Sequence, residues 1–268
     1  MDERVAQNRR NWDDRVAVHL ASAFYDVDGW LARKPGPRDQ ELEVLGDMEG
    51  RTLVQLQCHL GLDALQFARV GATVAGVDFS APAIDAARAL AVRAGLADRA
   101  RFVCGDVTEA PMLLGGQRFD VAYVSLGSLC WLPSIAAWAD AVAGVLAPGG
   151  TLYLFDVHPL AQCLDDDGER VAHDYFEGPE GHRDDFEYTY TDGEPLAHTT
   201  TFAWAHGVSE LVGALSESGL ALRRFEEHDW TPFHQFPWLL EVSPHHWTIP
   251  PGRPRVPLTM TVVADATW

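Results

Sequence analysis

The residues best suited to chemistry lie in the turn that follows the first strand-like run. This turn reads Gln57-Cys58-His59-Leu60-Gly61-Leu62-Asp63 and leads directly into a helical pattern. The unpaired N–H groups at the start of a helix hold carboxylates or phosphates, so the turn indicates a nucleotide-like ligand. A dinucleotide fingerprint needs glycines where this turn has Gln57 and His59, and NAD is therefore disfavoured.

Two acidic residues follow the next two strand-like runs. Asp78 ends the second run, where a carboxylate can accept both hydroxyls of a ribose. Asp106, within Gly105-Asp106-Val107, follows the third run and can reach an adenine amino group. The two positions predict a nucleoside lying across the ends of neighbouring strands.

The elements that must position these residues alternate between strands and helices. The predicted strands are Thr52–Gln57, Thr73–Asp78, Arg101–Cys104, Phe119–Ser125 and Thr151–Val157. The helices between them predict right-handed crossovers and an open, doubly wound parallel sheet. Ligands of such sheets bind at the carboxyl ends of the strands.

The regions before and after this alternation have a different character. Residues 1–40 predict a helical lid, 41–158 the cofactor-binding core, 159–206 an inserted β cap, and 207–268 the completion of the core sheet. Within the cap, Glu187–Tyr190 and Thr199–Trp204 flank Asp192-Gly193 and predict a hairpin. Pro244–Pro257 is proline-rich and predicts an ordered surface loop.

A series of short motifs carries a family resemblance over about Arg51 to Val157. The motifs are Gln55-x-Gln57-x-His59-x-Gly61, Gly76-Val77-Asp78-Phe79-Ser80, Gly105-Asp106, Phe119-Asp120-Val121 and Leu146-x-Pro148-Gly149-Gly150. In this order they resemble class I S-adenosylmethionine-dependent methyltransferases of the small-molecule type. Leu56-Gln57-Cys58-His59 is similar to a poorly characterised bacterial branch. The resemblance implies an α/β, Rossmann-like, mostly parallel seven-stranded sheet with an antiparallel last strand.

The resemblance also implies S-adenosylmethionine as the cofactor. Gly61 would face its methionine part, Asp78 its ribose, and Asp106 with Val107 its adenine. Trp12 and Tyr25 resemble residues of the family's lid helix. Gln55, Gln57 and His59 replace the family's usual acid and first two glycines, and the amides could take over the polar contacts of that acid. The cofactor-binding residues that we expect are Trp12, Tyr25, Gln57, His59, Gly61, Asp78, Phe79, Asp106, Val107 and Ser125.

Methyl transfer from a sulfonium is an in-line displacement, so orientation and exclusion of water can supply much of the catalysis. A base helps when the acceptor is a phenol or a protonated amine, and histidine has a suitable pKa. His158 follows the fifth strand and is our candidate, ahead of His206 and His228. The alternative is that His158 caps a strand end or bonds to backbone.

Aromatic residues are concentrated in the part that departs from the common core. We expect three of these aromatics and one histidine to bind the acceptor: Tyr188, Trp204, Trp230 and His206. The alternative for at least half of the aromatics is that they pack the hairpin onto the core. His234 and His245-His246 match no standard ligand spacing, so no metal is expected.

Composition excludes several classes of partner and enzyme. The net charge is −19, which disfavours nucleic acid. Lys34 is the only lysine and lies in a proline-glycine loop, so phosphate-loop, kinase and pyridoxal chemistries are excluded. Neither a signal peptide nor an apolar run of membrane-spanning length is present, and the four cysteines are widely spaced. We expect a cytoplasmic enzyme without membrane contacts; a homodimer is left open.

The sequence thus predicts methyl transfer from S-adenosylmethionine to an oxygen or nitrogen of a small organic molecule. Two alternatives stay open. One is an enzyme that binds the same cofactor but performs non-methylating chemistry. The other is a non-catalytic cofactor-binding partner of another protein.

Overall fold

The structure is a computed structural model that describes residues 2–176 and 178–268. The helices are α1 Glu3–Ala21, α2 Val27–Arg33, α3 Asp39–Leu45, α4 Leu62–Arg69, α5 Ala81–Arg93, α6 Ala110–Leu113, α7 Ile135–Val145, α8 Pro159–Gln162 and α9 Val208–Glu217. The strands are β1 Thr52–Leu56, β2 Thr73–Asp78, β3 Ala100–Cys104, β4 Phe119–Val124, β5 Leu146–Val157, β6 His182–Asp185, β7 Thr200–Ala203, β8 Leu220–His228, β9 Trp230–Thr231, β10 Leu240–Ser243, β11 His246–Thr248 and β12 Thr259–Ala266.

The main sheet has seven strands in the order β3-β2-β1-β4-β5-β12-β8. Strands β1 to β5 are parallel, and β12 runs antiparallel to both β5 and β8. The predicted fold class is confirmed. Because neighbouring parallel strands end at one edge, the register brings the ends of β1, β2 and β3 together.

Two apolar layers hold the sheet between helices. Phe67 of α4 packs on one face, and Trp138 of α7 packs on the other, with both side chains fully buried. The central strands are apolar on both faces, as expected for a parallel sheet that is covered twice. The helices cover the two faces of the sheet, and the loops that follow the strands lie at its carboxyl edge. No helix in the described part of the chain is both long and apolar enough to span a membrane.

The cap differs in detail from its prediction. A hairpin is present, but β7 pairs with β6 rather than with Glu187–Tyr190, and the prediction of a strand at Glu187–Tyr190 is wrong. This segment instead folds over α1, where Thr189 and Tyr190 hydrogen-bond to lid side chains. Tertiary contacts have overridden a β-rich local pattern.

A second correction concerns the proline-rich segment. β10 and β11 form an antiparallel hairpin that turns at Pro244-His245, and β9 adds to it as a third strand. The loop prediction for Pro244–Pro257 is therefore wrong for its first residues. His245 takes a left-handed φ of 59° in this turn.

Candidate functional site

The turn after β1 has the backbone of a glycine-rich loop although two of its three key residues carry side chains. Gln57, His59 and Gly61 have φ values of 57°, 46° and 68°. Such left-handed angles cost a non-glycine residue about 1 kcal/mol or more. Gly61 is also held by contact, because a Cβ atom there would lie 2.5 Å from the Phe102 ring. The loop therefore has a strained backbone conformation that its contacts with neighbouring residues hold in place.

Hydrogen bonds fix this loop to the neighbouring strands. The Cys58 N–H donates to the Val77 carbonyl oxygen at 3.0 Å, and the His59 N–H donates to the Asp78 carboxylate at 2.8 Å. The Gln57 side-chain amide donates to the Ser128 carbonyl oxygen at 2.7 Å. Its Oε1 atom is buried and has no hydrogen-bond partner within the described residues.

Asp78 is the acid at the centre of this edge. Its second oxygen accepts from the Ser80 N–H at 2.9 Å, and the residue is 6% exposed. Burial raises the pKa of Asp78 to about 6, with a smaller contribution from the nearby charge of Asp13. Two backbone donors orient the carboxylate while lone pairs remain for further hydrogen bonds.

Gln55 and Ser125 lie deeper, behind the loop. Gln55 accepts the Ala64 N–H at the start of α4 at 3.0 Å and donates to the Ser125 hydroxyl at 3.2 Å. Ser125 in turn donates to the Asp63 carboxylate at 2.8 Å. In the place of the acid that the resemblance implies, the amide ties three elements together.

The residues expected to border an adenine lie at the end of β3. Asp106 accepts from the Thr108 N–H and hydroxyl, which caps a 3-10 turn that contains the buried Val107. The Gly105 N–H donates to the Asp78 carbonyl oxygen at 2.9 Å, so this turn abuts the end of β2. Phe79 is half-buried directly after Asp78.

Helix α1 and the segment after it close over the loop. The rings of Trp12 and Tyr25 lie 5.2 and 5.7 Å from the His59 ring, centroid to centroid. His19 Nδ1 lies 2.8 Å from His59 Nε2, and His19 Nε2 lies 2.9 Å from the Thr189 hydroxyl. The predicted lid residues thus contact the predicted loop.

The His19–His59 pair is neutral. Burial, together with the charge of Arg15, lowers the pKa of His19 to about 3. Burial first, and then the charges of His19 and Arg15, hold the pKa of His59 well below its usual value. Burial beside a guanidinium disfavours the cationic form of both imidazoles, so both rings are neutral.

With this geometry in view, the chain can be compared with known proteins. The family described as "Methyltransferase domain" matches residues 54–150, which contain the loop, Asp78 and Asp106. Residues 54–150 are thus similar to that family. The matched segment ends with the turn at Gly149-Gly150, within β5.

Solved structures extend the likeness to the whole fold. An S-adenosylmethionine-dependent methyltransferase from Mesorhizobium loti has a TM-score of 0.54 at 19% identity, with 84% of this chain and 96% of that one covered. One from Methanosarcina mazei has a TM-score of 0.55 at 17% identity, covering 86% and 98%. Magnesium protoporphyrin IX methyltransferase from Synechocystis PCC 6803 has a TM-score of 0.50 at 15% identity, covering 95% and 85%. The methyltransferase domain thus lies in a chain with the fold of S-adenosylmethionine-dependent methyltransferases.

His158, the predicted base, lies at the start of α8. Its Nδ1 accepts from the Leu160 N–H at 3.1 Å, and its Nε2 lies 3.1 Å from a Glu227 carboxylate oxygen. Both ring nitrogens therefore have neighbours of their own, and the residue is 4% exposed. Burial lowers the pKa of His158, and Glu227 opposes this effect. The geometry is that of a helix cap, and the catalytic role stays a prediction.

The four residues expected to bind the acceptor occupy separate places. Trp204 is buried and donates to the Pro179 carbonyl oxygen, and His206 lies 2.7 Å from the Leu132 carbonyl oxygen. Trp230 stacks on Phe155 and His246. Tyr188 is 54% exposed. These contacts connect none of the four to the ring cluster around His59.

Sequence reasoning missed Arg15, His19 and Trp131 as candidate site residues. Asn8, Asn11, Arg15 and His19 recur every three or four residues of α1, and all four are buried. A polar stripe on the buried face of a helix signals partners other than apolar core, and it could have identified His19 and Arg15. Trp131 carries no comparable sequence signal, whereas Tyr190 belongs to the aromatic residues concentrated after the common core.

Acids and histidines elsewhere serve the fold. Asp156 is fully buried and accepts backbone N–H groups from Gly127, Ser128, Leu129 and its neighbour Val157. It thereby shapes the loop after β4, and burial raises its pKa to about 6. Within residues 2–176 and 178–268, no group of three or more His, Cys, Asp or Glu residues could hold a metal ion.

Proposed function

We propose that this chain transfers a methyl group from S-adenosylmethionine to an oxygen or nitrogen atom of a small organic molecule. The observation that carries the proposal is the left-handed loop at Gln57, His59 and Gly61, fastened by the His59 N–H to the buried carboxylate of Asp78. This loop lies within the segment that matches the methyltransferase domain, and its hydrogen bond to Asp78 connects the end of β1 to the end of β2.

The residues at this edge fit the cofactor in charge and hydrogen bonding. Asp78 would accept the ribose hydroxyls with its remaining lone pairs, and Asp106 with Val107 would border the adenine. Gln57 Oε1, buried and without a partner in the described chain, suits the ammonium group of the methionine part. When bound, S-adenosylmethionine supplies an electrophilic methyl group on a sulfonium.

The chain's own contribution to catalysis would be orientation and exclusion of water. Trp12, Tyr25 and His59 form a ring-lined wall beside the loop, and such faces favour a sulfonium cation. The depressed pKa of His59 makes it a weak base, so its Nδ1 atom is suited to orienting an acceptor by hydrogen bonding. For His158 to take the acceptor's proton, its ring would have to leave Leu160 or Glu227.

A small acceptor is favoured by the enclosure of the site and by the charge of the chain. The lid and Thr189 of the cap meet over His59, which leaves little width for a polymer. The net charge of −19 opposes nucleic acid. A cytoplasmic location belongs to the same proposal, because the four cysteines are widely spaced in the sequence, which is untypical of a disulfide framework.

The test combines binding with turnover. Calorimetry should show S-adenosylhomocysteine binding to the purified chain, and a set of phenols and amines should release S-adenosylhomocysteine from S-adenosylmethionine. Binding without methylated product, but with another conversion of the acceptor, would favour the non-methylating alternative. Absence of cofactor binding would contradict the proposal.

A further inference from the structure

Arg15 is a buried cation without a counter-ion among the described residues. The residue is 5% exposed, and its Nε donates to the Asn11 side-chain oxygen at 2.7 Å. None of the ion pairs found among residues 2–176 and 178–268 includes Arg15. Buried charges in proteins are normally paired, so this one points to an anion supplied by a ligand.

The surroundings of Arg15 are aromatic rather than acidic. Its guanidinium carbon lies 4.8 Å from the Trp12 ring, 5.6 Å from the Trp131 ring and 6.0 Å from the Tyr190 ring. These rings stabilise the cation through their faces but accept no strong hydrogen bonds. The five N–H donors of a guanidinium form a planar fork that matches a carboxylate.

A second buried group beside Arg15 is a hydrogen-bond donor without an acceptor in the described part of the chain. The Trp12 Nε1–H is buried and finds no partner in the described part of the chain. An indole nitrogen only donates, as does a guanidinium. A cation without a counter-ion and a neighbouring N–H without an acceptor therefore both favour acceptor oxygens at this place.

The elements around Arg15 indicate which ligand supplies those oxygens. Trp131 lies in the loop after β4, and Tyr190 lies in the segment that connects β6 and β7. The positions assigned to the ribose and the adenine lie instead at the ends of β2 and β3. The unpartnered atom of Gln57, in the loop itself, is an acceptor and not a donor.

We infer that Arg15 and Trp12 bind a carboxylate of the acceptor, so that the substrates of this enzyme are small carboxylic acids. The inference rests on the proposed function and narrows its acceptor class. The carboxylate would lie among flat rings, and the reacting oxygen or nitrogen would belong to the same molecule. The carboxylate itself undergoes no chemistry in this step.

The probe is benzoate, with benzamide as its uncharged match, titrated into the chain saturated with S-adenosylhomocysteine. We expect benzoate to bind at least tenfold more tightly than benzamide to the parent. Arg15→Met should abolish this preference, and Trp12→Phe should weaken it severalfold. Arg69→Met is the matched control, because Arg69 also packs on a tryptophan ring, at 3.7 Å from Trp30, outside this cluster. Equal binding of benzoate and benzamide to the parent would overturn the inference.

A second arm separates the acceptor from the cofactor. If Arg15→Met weakens S-adenosylhomocysteine binding but spares 5′-methylthioadenosine, which has no carboxylate, Arg15 binds the cofactor instead and the inference fails. Titrating benzoate into the chain without nucleoside keeps the carboxylate site testable even if S-adenosylhomocysteine does not bind. Should Arg15→Met not fold, Arg15→Lys keeps the charge and loses the planar fork, and its benzoate preference should fall. An unchanged preference in Arg15→Lys would then count against the bidentate site.

Discussion

The carboxyl edge of the sheet and the face of α1 that lies over it differ in how their buried polar groups find hydrogen-bond partners. At the edge, Asp78 accepts two backbone N–H groups, and Asp106 accepts from the backbone and hydroxyl of Thr108. On the lid, Arg15 has one side-chain partner, and Trp12 Nε1 has none among the described residues. At the edge the chain itself supplies donors to both acids, whereas on the lid it leaves the Arg15 charge without a counter-ion and the Trp12 N–H without an acceptor in the described residues. Changes at the edge should therefore affect folding and nucleoside binding, and changes on the lid should affect specificity.

The largest expected effect is on stability, at the edge. Gly61→Ala should lower the free energy of unfolding by about 2–4 kcal/mol, because it adds a left-handed alanine and a Cβ against Phe102. Gly95→Ala is the matched control, since Gly95 has a φ of 71° and open space around it. It should cost about 1 kcal/mol. Urea unfolding of both variants checks this, and equal losses would mean that the contact with Phe102 is unimportant.

The next effect is on nucleoside affinity. Asp78→Ala should weaken S-adenosylhomocysteine binding by about ten- to a hundredfold. This factor corresponds to the loss of about 1.5–3 kcal/mol that is typical of charge-assisted hydrogen bonds. Asp85→Ala, which removes an exposed carboxylate of α5, should leave the affinity unchanged. Calorimetry on both folded variants gives the comparison. Parental affinity in Asp78→Ala would place the ribose elsewhere.

The raised pKa of Asp78 adds a pH dependence to that affinity. With a pKa of about 6, the carboxylate is about one-tenth ionised at pH 5, so binding there should be about tenfold weaker than at pH 7. Asp78→Asn should remove this dependence, whereas Asp156→Asn should keep it. A parental affinity that is flat from pH 5 to 7 would rule out Asp78 as the titrating contact.

Folding stability should change with pH in the opposite direction. The folded-state pKa values of Asp78 and Asp156 lie above the usual value for aspartate, so protonation favours the folded state. Their contribution to the free energy of unfolding is complete below about pH 4 and is lost as the pH rises through about 6. The ligand-free protein thus gives up stability over the range in which the ribose contact gains strength.

The smallest expected effect is at His158, which lies in neither region. The capping geometry predicts that His158→Ala lowers the free energy of unfolding by about 1 kcal/mol, and that His158→Asn, a good cap, restores most of it. Turnover of the folded protein should change little. If His158 were the general base, both variants would lose about 10²–10⁴ in rate, and that result would reinstate the sequence-based prediction.

The contrast between the two regions also explains what the sequence could predict. Asp78 and Gly61 were identifiable because parallel strands place their ends at a common edge wherever the pattern of strands is clear. The partners of α1 depend on contacts across more than a hundred residues, such as His19 with Thr189. A local sequence pattern contains no information about such distant contacts, and this is why the strand predicted at Glu187–Tyr190 is wrong.

The attachment of α1 to the cap has a consequence for the solution behaviour of the protein. The Asn8 side chain donates to the Phe202 carbonyl oxygen at 2.7 Å and accepts the Phe202 N–H at 2.8 Å, as a neighbouring strand would. The helix thereby shields an edge of β7 that could otherwise template pairing between molecules. Movement of α1 away from the cap would uncover this edge, so each opening of the lid carries a risk of aggregation.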